Sequence, residues 1–422
     1  MAENNRILVG YDLCDNYSQI GFYNTKLFEP TTIKYGREGN NDRIPTVMAV
    51  TDDTKEWLFG EDAVKAVKIQ NAQPVDNILE HVRKKEKYII FEKEFEPVEI
   101  LAKYFTKTLL LLKKIFPSQT IGQLVVTVKD TNPVLVEGIF AALRILGLEK
   151  DRVSVVSHAQ SYTYYALSQK KELWMNDVAL FDFDSEGLKY YQIKIDRQHR
   201  PITVGINSTD YTEMLSYDLF GVMYDEQLQY IFENIARTAL YKQIISTIYV
   251  TGVGFDKPWA EDIIKNLCVG RRGFIGQNLF SGGACYAAKN MAGDEDKFAD
   301  FMFLSEDMIT GTISVWTYSD ATKKELIFSR MATPWYEADS SHEFILDDLD
   351  EIEIMVKNDV RNTKKSHFIV LDGLPKRPAK TTRIRIRVKF LDPKSCVVTI
   401  KDMGFGEIYK GTDRVWEKII TI

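Results

Sequence analysis

The chain is poor in the residues that staple or anchor unusual folds. Its four cysteines, Cys14, Cys268, Cys285 and Cys396, are scattered with no C-x-x-C pair. That spacing suggests neither a disulfide framework nor a zinc motif and fits a reducing compartment. No stretch reaches about 18 uninterrupted apolar residues; even LLLLKKIF is broken by Lys113 and Lys114. The start, MAENNRILVG, lacks the basic and apolar regions of a signal peptide. The expectation is a soluble, cytoplasmic protein with no membrane partner. Nor is there an excess of positive charge. Fifty-four bases against 60 acids leave a net charge of −6, so the whole chain is no general polyanion binder.

What is present is an ordinary globular composition, 45% apolar and 27% charged, which excludes disordered and collagen-like chains. At roughly 100–200 residues per domain, 422 residues imply two or three domains. Apolar runs Arg6–Tyr11 and Gln19–Tyr23 read as a hairpin with Asp12 at its turn, and Ile44–Val50 as a third strand. Helical spacing marks Glu61–Ile69, Pro97–Ile115, Pro133–Leu146 and a helix ending at Ala166. Strands are expected at Gln123–Val128 and Val153–Val156, a parallel α/β pattern. Asp177–Asp182 and Tyr190–Ile195 then repeat the opening strand-Asp-turn-strand arrangement. Helices at Asp225–Ala239 and Lys257–Asn266 bracket a strand, Ile248–Thr251, followed directly by Gly252 and Gly254. A last helix is expected at Gly282–Met291, and the polar Gly293–Phe298 suits a linker. Beyond it six short strands, at 313–318, 325–328, 351–355, 367–371, 382–390 and 396–400, suggest a β-sandwich.

The duplicated strand-Asp-turn motif and the late strand ending in glycines resemble the actin, hexokinase and heat-shock ATPase superfamily. In detail the chain looks like a seventy-kilodalton heat-shock chaperone over almost its whole length. GYDLCDNYSQIGFY resembles the first phosphate hairpin, and VALFDFDSEGLKYYQI sits where the second belongs. RIPTVMAV with LFGEDAV, LVVTVKDTN, and IYVTGVGFDKPW take the places of further family segments, the last that of the adenosine motif. FIVLDGLPKRPAKTTRIRIRVKFLDPKSCVVTIKD resembles the peptide-binding sandwich, with Gly373–Pro378 as its Leu-Pro-Pro-Arg-Pro-like turn. The family's helical lid has no counterpart. The resemblance implies a two-lobed actin-like α/β ATPase fold over residues 1–298, shortened, and an all-β sandwich like the chaperone substrate-binding domain over 299–422.

It also implies a nucleotide site at Asp12, Cys14, Asp15, Asn16, Asp182, Asp184, Ser185, Gly187, Gly252 and Gly254, with Asp12 and Asp182 as magnesium-side carboxylates if Mg-ATP binds. The departures argue against retained chemistry. Backbone N–H groups hold phosphates only where glycine permits close approach. Here Cys14, Asp15 and Asn16 replace glycine and threonine, and Asp184, Ser185 and Glu186 replace glycines, with Gly187 one place late. Lys129 replaces a proline, and Ser157, His158, Ala159 and Gln160 replace Asn-Glu-Pro-Thr, which removes the carboxylate near the attacking water.

Two readings of Asp12 and Asp182 stand: magnesium ligands, or turn residues of a disused cleft. Gly252 and Gly254 could serve adenosine or only a strand-to-helix turn. His158 could be a base or structural; Cys14 has no basic partner nearby in sequence. The expected function is a pseudo-ATPase that binds proteins or peptides and needs no cofactor. An active ATP-hydrolysing chaperone is the first alternative. Nucleic-acid binding through Arg383, Arg385, Arg387 and Lys389 is the second, unless these cations pair with the acid-rich Glu337–Glu353 block.

Overall fold

Apolar runs form the central strands of two sheets with one wiring. The structure, a computed structural model, describes residues 6–36, 41–198, 200–294, 297–319, 322–347 and 349–422. The expected linker therefore lies partly outside the described residues. The chain begins with β1 (Arg6–Leu13), β2 (Tyr17–Asn24) and β3 (Glu29–Thr32). An excursion follows: β4 (Ile44–Pro45), β5 (Met48–Thr51), β6 (Trp57–Phe59), α1 (Gly60–Lys68), β7 (Ala72–Val75), α2 (Ile78–Lys84), β8 (Tyr88–Ile90) and β9 (Lys93–Phe95). Ile44–Val50 is thus not one strand. β4 joins β2 while β5 joins β6 and β7, because the chain turns at Thr46, whose amide bonds Asn16 O.

Then come α3 (Pro97–Ile115), β10 (Thr120–Val128), α4 (Pro133–Ile145), β11 (Val153–Ser157) and α5 (His158–Ser168), close to expectation. The first sheet runs β11-β10-β1-β2-β3; β1 is antiparallel to β2 and parallel to β10. The pattern repeats with β12 (Asp177–Phe183), β13 (Leu188–Asp196), β14 (Ile202–Asp210), α6 (Asp225–Leu240), β15 (Ile245–Thr251), α7 (Glu261–Leu267), β16 (Arg272–Ile275) and α8 (Leu279–Met291). Its order is β16-β15-β12-β13-β14, again with an antiparallel hairpin beside parallel strands. Lys257–Asn266 is a 3₁₀ turn over Pro258–Ala260 leading into α7, not one helix. Four consecutive exposed residues make up β16, so it carries no alternation to read.

The chain divides into two compact units, residues 1–195 with 206–300, and 196–205 with 301–422. The sequence-based boundary had no means of finding the short segment that joins the second unit. There Ile202–Gly205 pairs in parallel with β17 (Phe301–Leu304). The rest of the second unit is β-rich: β18 (Thr312–Ser319), β19 (Thr322–Ser329), β20 (Asp339–Leu346), β21 (Glu351–Asn358), β22 (Thr363–Val370), β23 (Thr382–Asp392), β24 (Ser395–Phe405), β25 (Tyr409–Lys410) and β26 (Val415–Thr421). One sheet runs β19-β18-β21-β22; in the other, β20 and β24 flank β23, and β25 and β26 both pair with β24. Ile313, Val315, Ile354 and Val356 from the first share one core with Ile384, Ile386, Val388, Phe390, Val398 and Ile400 from the second. Each such side chain contributes about 1.5–3 kcal/mol by leaving water.

The outward face of β23 holds the alternating cations, and β20 answers them. Arg385 and Arg383 pair with Glu343 at 2.7 and 3.3 Å, Arg387 Nε donates to Asp339 at 2.7 Å, and Lys389 lies opposite Asp339 in register. Two acids of the acidic block, Asp339 and Glu343, thus pair with three of the four cations of the basic strand. These exposed pairs are each worth about 0–1 kcal/mol; their effect is to fix register rather than to hold the sheet.

Candidate functional site

Asp12 and Asp182 occupy equivalent places in the two sheets. Asp12 lies in β1 between Gln19 of β2 and Thr127 of β10. Asp182 lies in β12 between Lys189 of β13 and Thr251 of β15. Neither is a turn residue, contrary to the sequence reading. Both are buried within their strands, and the turns begin two residues later. They are closed in the same way, by Cys14 N–H to Tyr17 O at 2.9 Å and Asp184 N–H to Gly187 O at 3.1 Å.

The first carboxylate is engaged from two directions. His158 Nε2–H donates to Asp12 Oδ1 at 2.7 Å, and Cys14 Sγ–H donates to the same oxygen at 3.5 Å. Cys14 Sγ also lies 3.9 Å from His158 Nε2. The basic partner of Cys14, absent from its sequence neighbourhood, thus arrives from α5. It makes no nucleophile, however. One imidazole nitrogen faces both carboxylate and thiol, so no Asp-His-Cys relay exists. Burial, followed by the charge of Asp12, also pushes the thiol well above its usual range. The local sequence explains how His158 is placed. Ser157 and Gln160 form a capping box, with Ser157 Oγ accepting from Gln160 N and Gln160 Oε1 from Ser157 N. The S-x-x-Q spacing carried this signal, and it places His158 at the first position of the helix. The ring stacks on Phe280 at 3.8 Å.

The second hairpin is filled by a cation. Lys129, just past β10, reaches Asp184 at 2.7 Å and Glu186 at 3.2 Å. The side chains of Lys129 and Asp184 are 10% and 4% exposed, so this is a buried pair. Burial alone would lower the ammonium's pKa; the Cys14 sulfur in its ionised form, then Asp184 and Asp182, reverse this and raise it. For Asp184, burial acts upward, but Lys129 and the Ser185 donors hold it below the usual carboxylate range. Asn16 Nδ2 donates to Ser185 Oγ at 2.8 Å, joining the tips of the two hairpins. Asp15 turns away to a two-pronged pair with Arg83 at 2.7 and 2.9 Å. Lys129 and Arg83 were absent from the sequence-based site.

Gly252 and Gly254 lie against Phe183, the residue between Asp182 and Asp184. Gly252 has φ +100°, and a Cβ there would meet Phe183 O at 2.2 Å. A Cβ on Gly254 would strike the Phe183 ring at 2.4 Å. Gly252 N–H donates to Gln277 Oε1 and its carbonyl accepts from Gln277 Nε2, each at 3.2 Å. These glycines serve close packing at the end of β15.

Residues 29–306, about two thirds of the chain, match a family of unknown function (DUF5716), in its C-terminal part. The chain belongs to that family. Residues 308–422 match a domain of unknown function (DUF8552), and no curated protein matches the chain. In this DUF5716 member, Asp12 and Cys14 precede the matched segment, whereas Lys129, His158, Asp182 and Asp184 fall inside it. Among the described residues, no helix is long and apolar enough to cross a membrane.

Asp182 sets a pH dependence. Burial first, and Asp184 next, push its carboxyl up to about 8. Such a group stabilises the fold in its neutral form. The contribution is complete below the unfolded value near about 4, and is lost as pH rises toward the folded value. Asp182→Asn should therefore remove a decline of up to about 1.4 kcal/mol per pH unit between about pH 5 and 8. Melting temperatures of both proteins across that range would converge at the acid end and separate at the basic end. Parallel curves would contradict this.

Proposed function

We propose that the chain is a degenerate relative of the actin, hexokinase and heat-shock ATPases, closest in pattern to the heat-shock chaperones. Its N-terminal unit no longer hydrolyses nucleotide, and it works by binding proteins or peptides. One observation carries the reading: Lys129 lies on Asp184 and Glu186, in the hairpin that in such ATPases wraps phosphate. Two sheets of the same strand order, each with an aspartate at the same point of its first strand, support the actin-like fold. The β-rich second unit with its Gly373–Pro378 turn supports the chaperone-like sandwich.

The residues do not suit Mg-ATP. Magnesium needs oxygen ligands in octahedral array, whereas Asp12 shares its oxygen with a thiol and an imidazole. A polyphosphate would also meet Asp184 and Glu186, each like-charge contact costing about 1–4 kcal/mol at 4 Å. Titrating the protein with Mg-ATP in a calorimeter should give no heat of binding at micromolar nucleotide and no phosphate release. Micromolar binding with turnover would establish the active chaperone instead.

A further inference from the structure

We propose that Asp12, Cys14 and His158 form a binding site for one divalent transition-metal ion of the zinc class, held between β1 and the first turn of α5. One atom from each side chain, Oδ1, Sγ and Nε2, lies within 4.8 Å of the other two, and all three residues are buried. The separations are 2.7 Å for N to O, 3.5 Å for S to O and 3.9 Å for S to N. A tetrahedral ion with a Zn–S bond of about 2.3 Å and Zn–N and Zn–O bonds of about 2.0–2.1 Å holds its donors about 3.3–3.6 Å apart. The three atoms reach that triangle by moving about 0.6 Å or less. Thiol, imidazole and carboxylate together select zinc-like ions over magnesium and calcium, which prefer oxygen alone.

A second observation is independent of these distances. Asp12 Oδ2 is buried without a hydrogen-bond partner among the described residues. A buried carboxylate oxygen in that state lacks what an ion would supply, and covalent geometry keeps it beside Oδ1, available as a further donor. The charge around the site points the same way. Asp12 is buried, and the nearby lysine, Lys129, is held by Asp184 and Glu186 rather than by Asp12. Binding converts the Cys14 thiol to a thiolate and releases its proton to solvent; the imidazole gives up its hydrogen bond to Asp12, its proton passes from Nε2 to Nδ1, and the freed Nε2 lone pair faces the ion. The ion would tie β1 to α5 and hold the first hairpin rigid.

The test uses the full-length protein, freed of any affinity tag and produced in zinc-supplemented medium. Elemental analysis should find about one zinc per chain. After chelation, Co²⁺ titration should give tetrahedral d–d bands and a thiolate-to-cobalt charge-transfer band that saturate near one equivalent. Cys14→Ser should abolish the charge-transfer band and His158→Gln should weaken binding by more than the about 10–100-fold typical of outer-sphere changes. Cys268→Ser should change neither. Wild-type protein with negligible zinc and no cobalt–thiolate band would overturn the proposal without any variant having to fold. A band that survives Cys14→Ser in folded protein would overturn it as well. Metal content and the Mg-ATP calorimetry are separate readouts, so either can fail alone.

Discussion

Lys129→Met should destabilise the N-terminal unit by about 3–5 kcal/mol, the cost of leaving one member of a buried ion pair uncompensated. Methionine keeps the apolar stem, so the loss reports the charge rather than a cavity. With Lys129 gone, Asp184 is left 4% exposed at its side chain, close enough to Asp182 for their charges to act on each other. Asp182 is already held in its neutral form by burial, so Asp184 is the carboxylate left ionised and buried without its cation, and its pKa rises. The double variant Lys129→Met/Asp184→Asn should recover much of the loss, since it removes both charges. Urea unfolding followed by circular dichroism closes the cycle. A single-variant loss below about 1 kcal/mol would place the pair with exposed ion pairs and remove the main support for a cleft filled by its own side chains.

Replacing Asp402 by alanine should cost the β-rich unit a similar amount, about 3–5 kcal/mol. Both oxygens of Asp402 accept from the Arg377 guanidinium at 2.9 Å, and the side chains are 0% and 4% exposed. The same carboxylate accepts from Gly404 N–H, Thr412 N–H and Thr412 Oγ–H at 2.9, 3.0 and 2.8 Å. One side chain therefore joins the Gly373–Pro378 turn, the end of β24 and the loop before β26. Burial alone would raise its pKa, but Arg377 and the two backbone donors outweigh that and hold it far below the usual carboxylate range. A depressed carboxylate contributes stability that is present above its unfolded value near about 4 and is lost as pH falls through its folded value. The unit should thus be most stable above about pH 4 and lose stability below it by up to about 1.4 kcal/mol per pH unit, and Asp402→Asn should lower the plateau and flatten that decline. Acid titrations of both proteins by near-ultraviolet circular dichroism would show the difference; coincident acid limbs would contradict it.

Much of the fold was legible because period and punctuation agree with packing. α3 matches its expected bounds, Pro97–Ile115, because proline starts it, a Glu96–Glu99 capping box fixes its first turn, and an apolar stripe runs to Pro117. The hairpins were found from short apolar runs on either side of a polar turn. Their turns were placed two residues early, because a buried aspartate looks the same in sequence as one that caps a turn. β20, DSSHEFIL, was missed since its exposed outward acids read as a loop; what makes it a strand is its backbone pairing with β23 over all eight residues, with Phe344 and Leu346 turned to the shared core. Arg377 stood within a recognisable turn, yet its partner Asp402 is 25 residues away.

By itself the sequence determined most of the element types, the duplicated strand-aspartate pattern and the change to a β-rich second part. These depend on local period and on which residue types fit a given backbone. The tertiary structure alone decided that His158 meets Asp12 and Cys14, that Lys129 neutralises Asp184, and that Arg83 draws Asp15 aside. Those partners lie between 55 and 146 positions apart in the chain. A side chain's charge and spacing do not say what will face it; burial, which removes water as the competing partner, does.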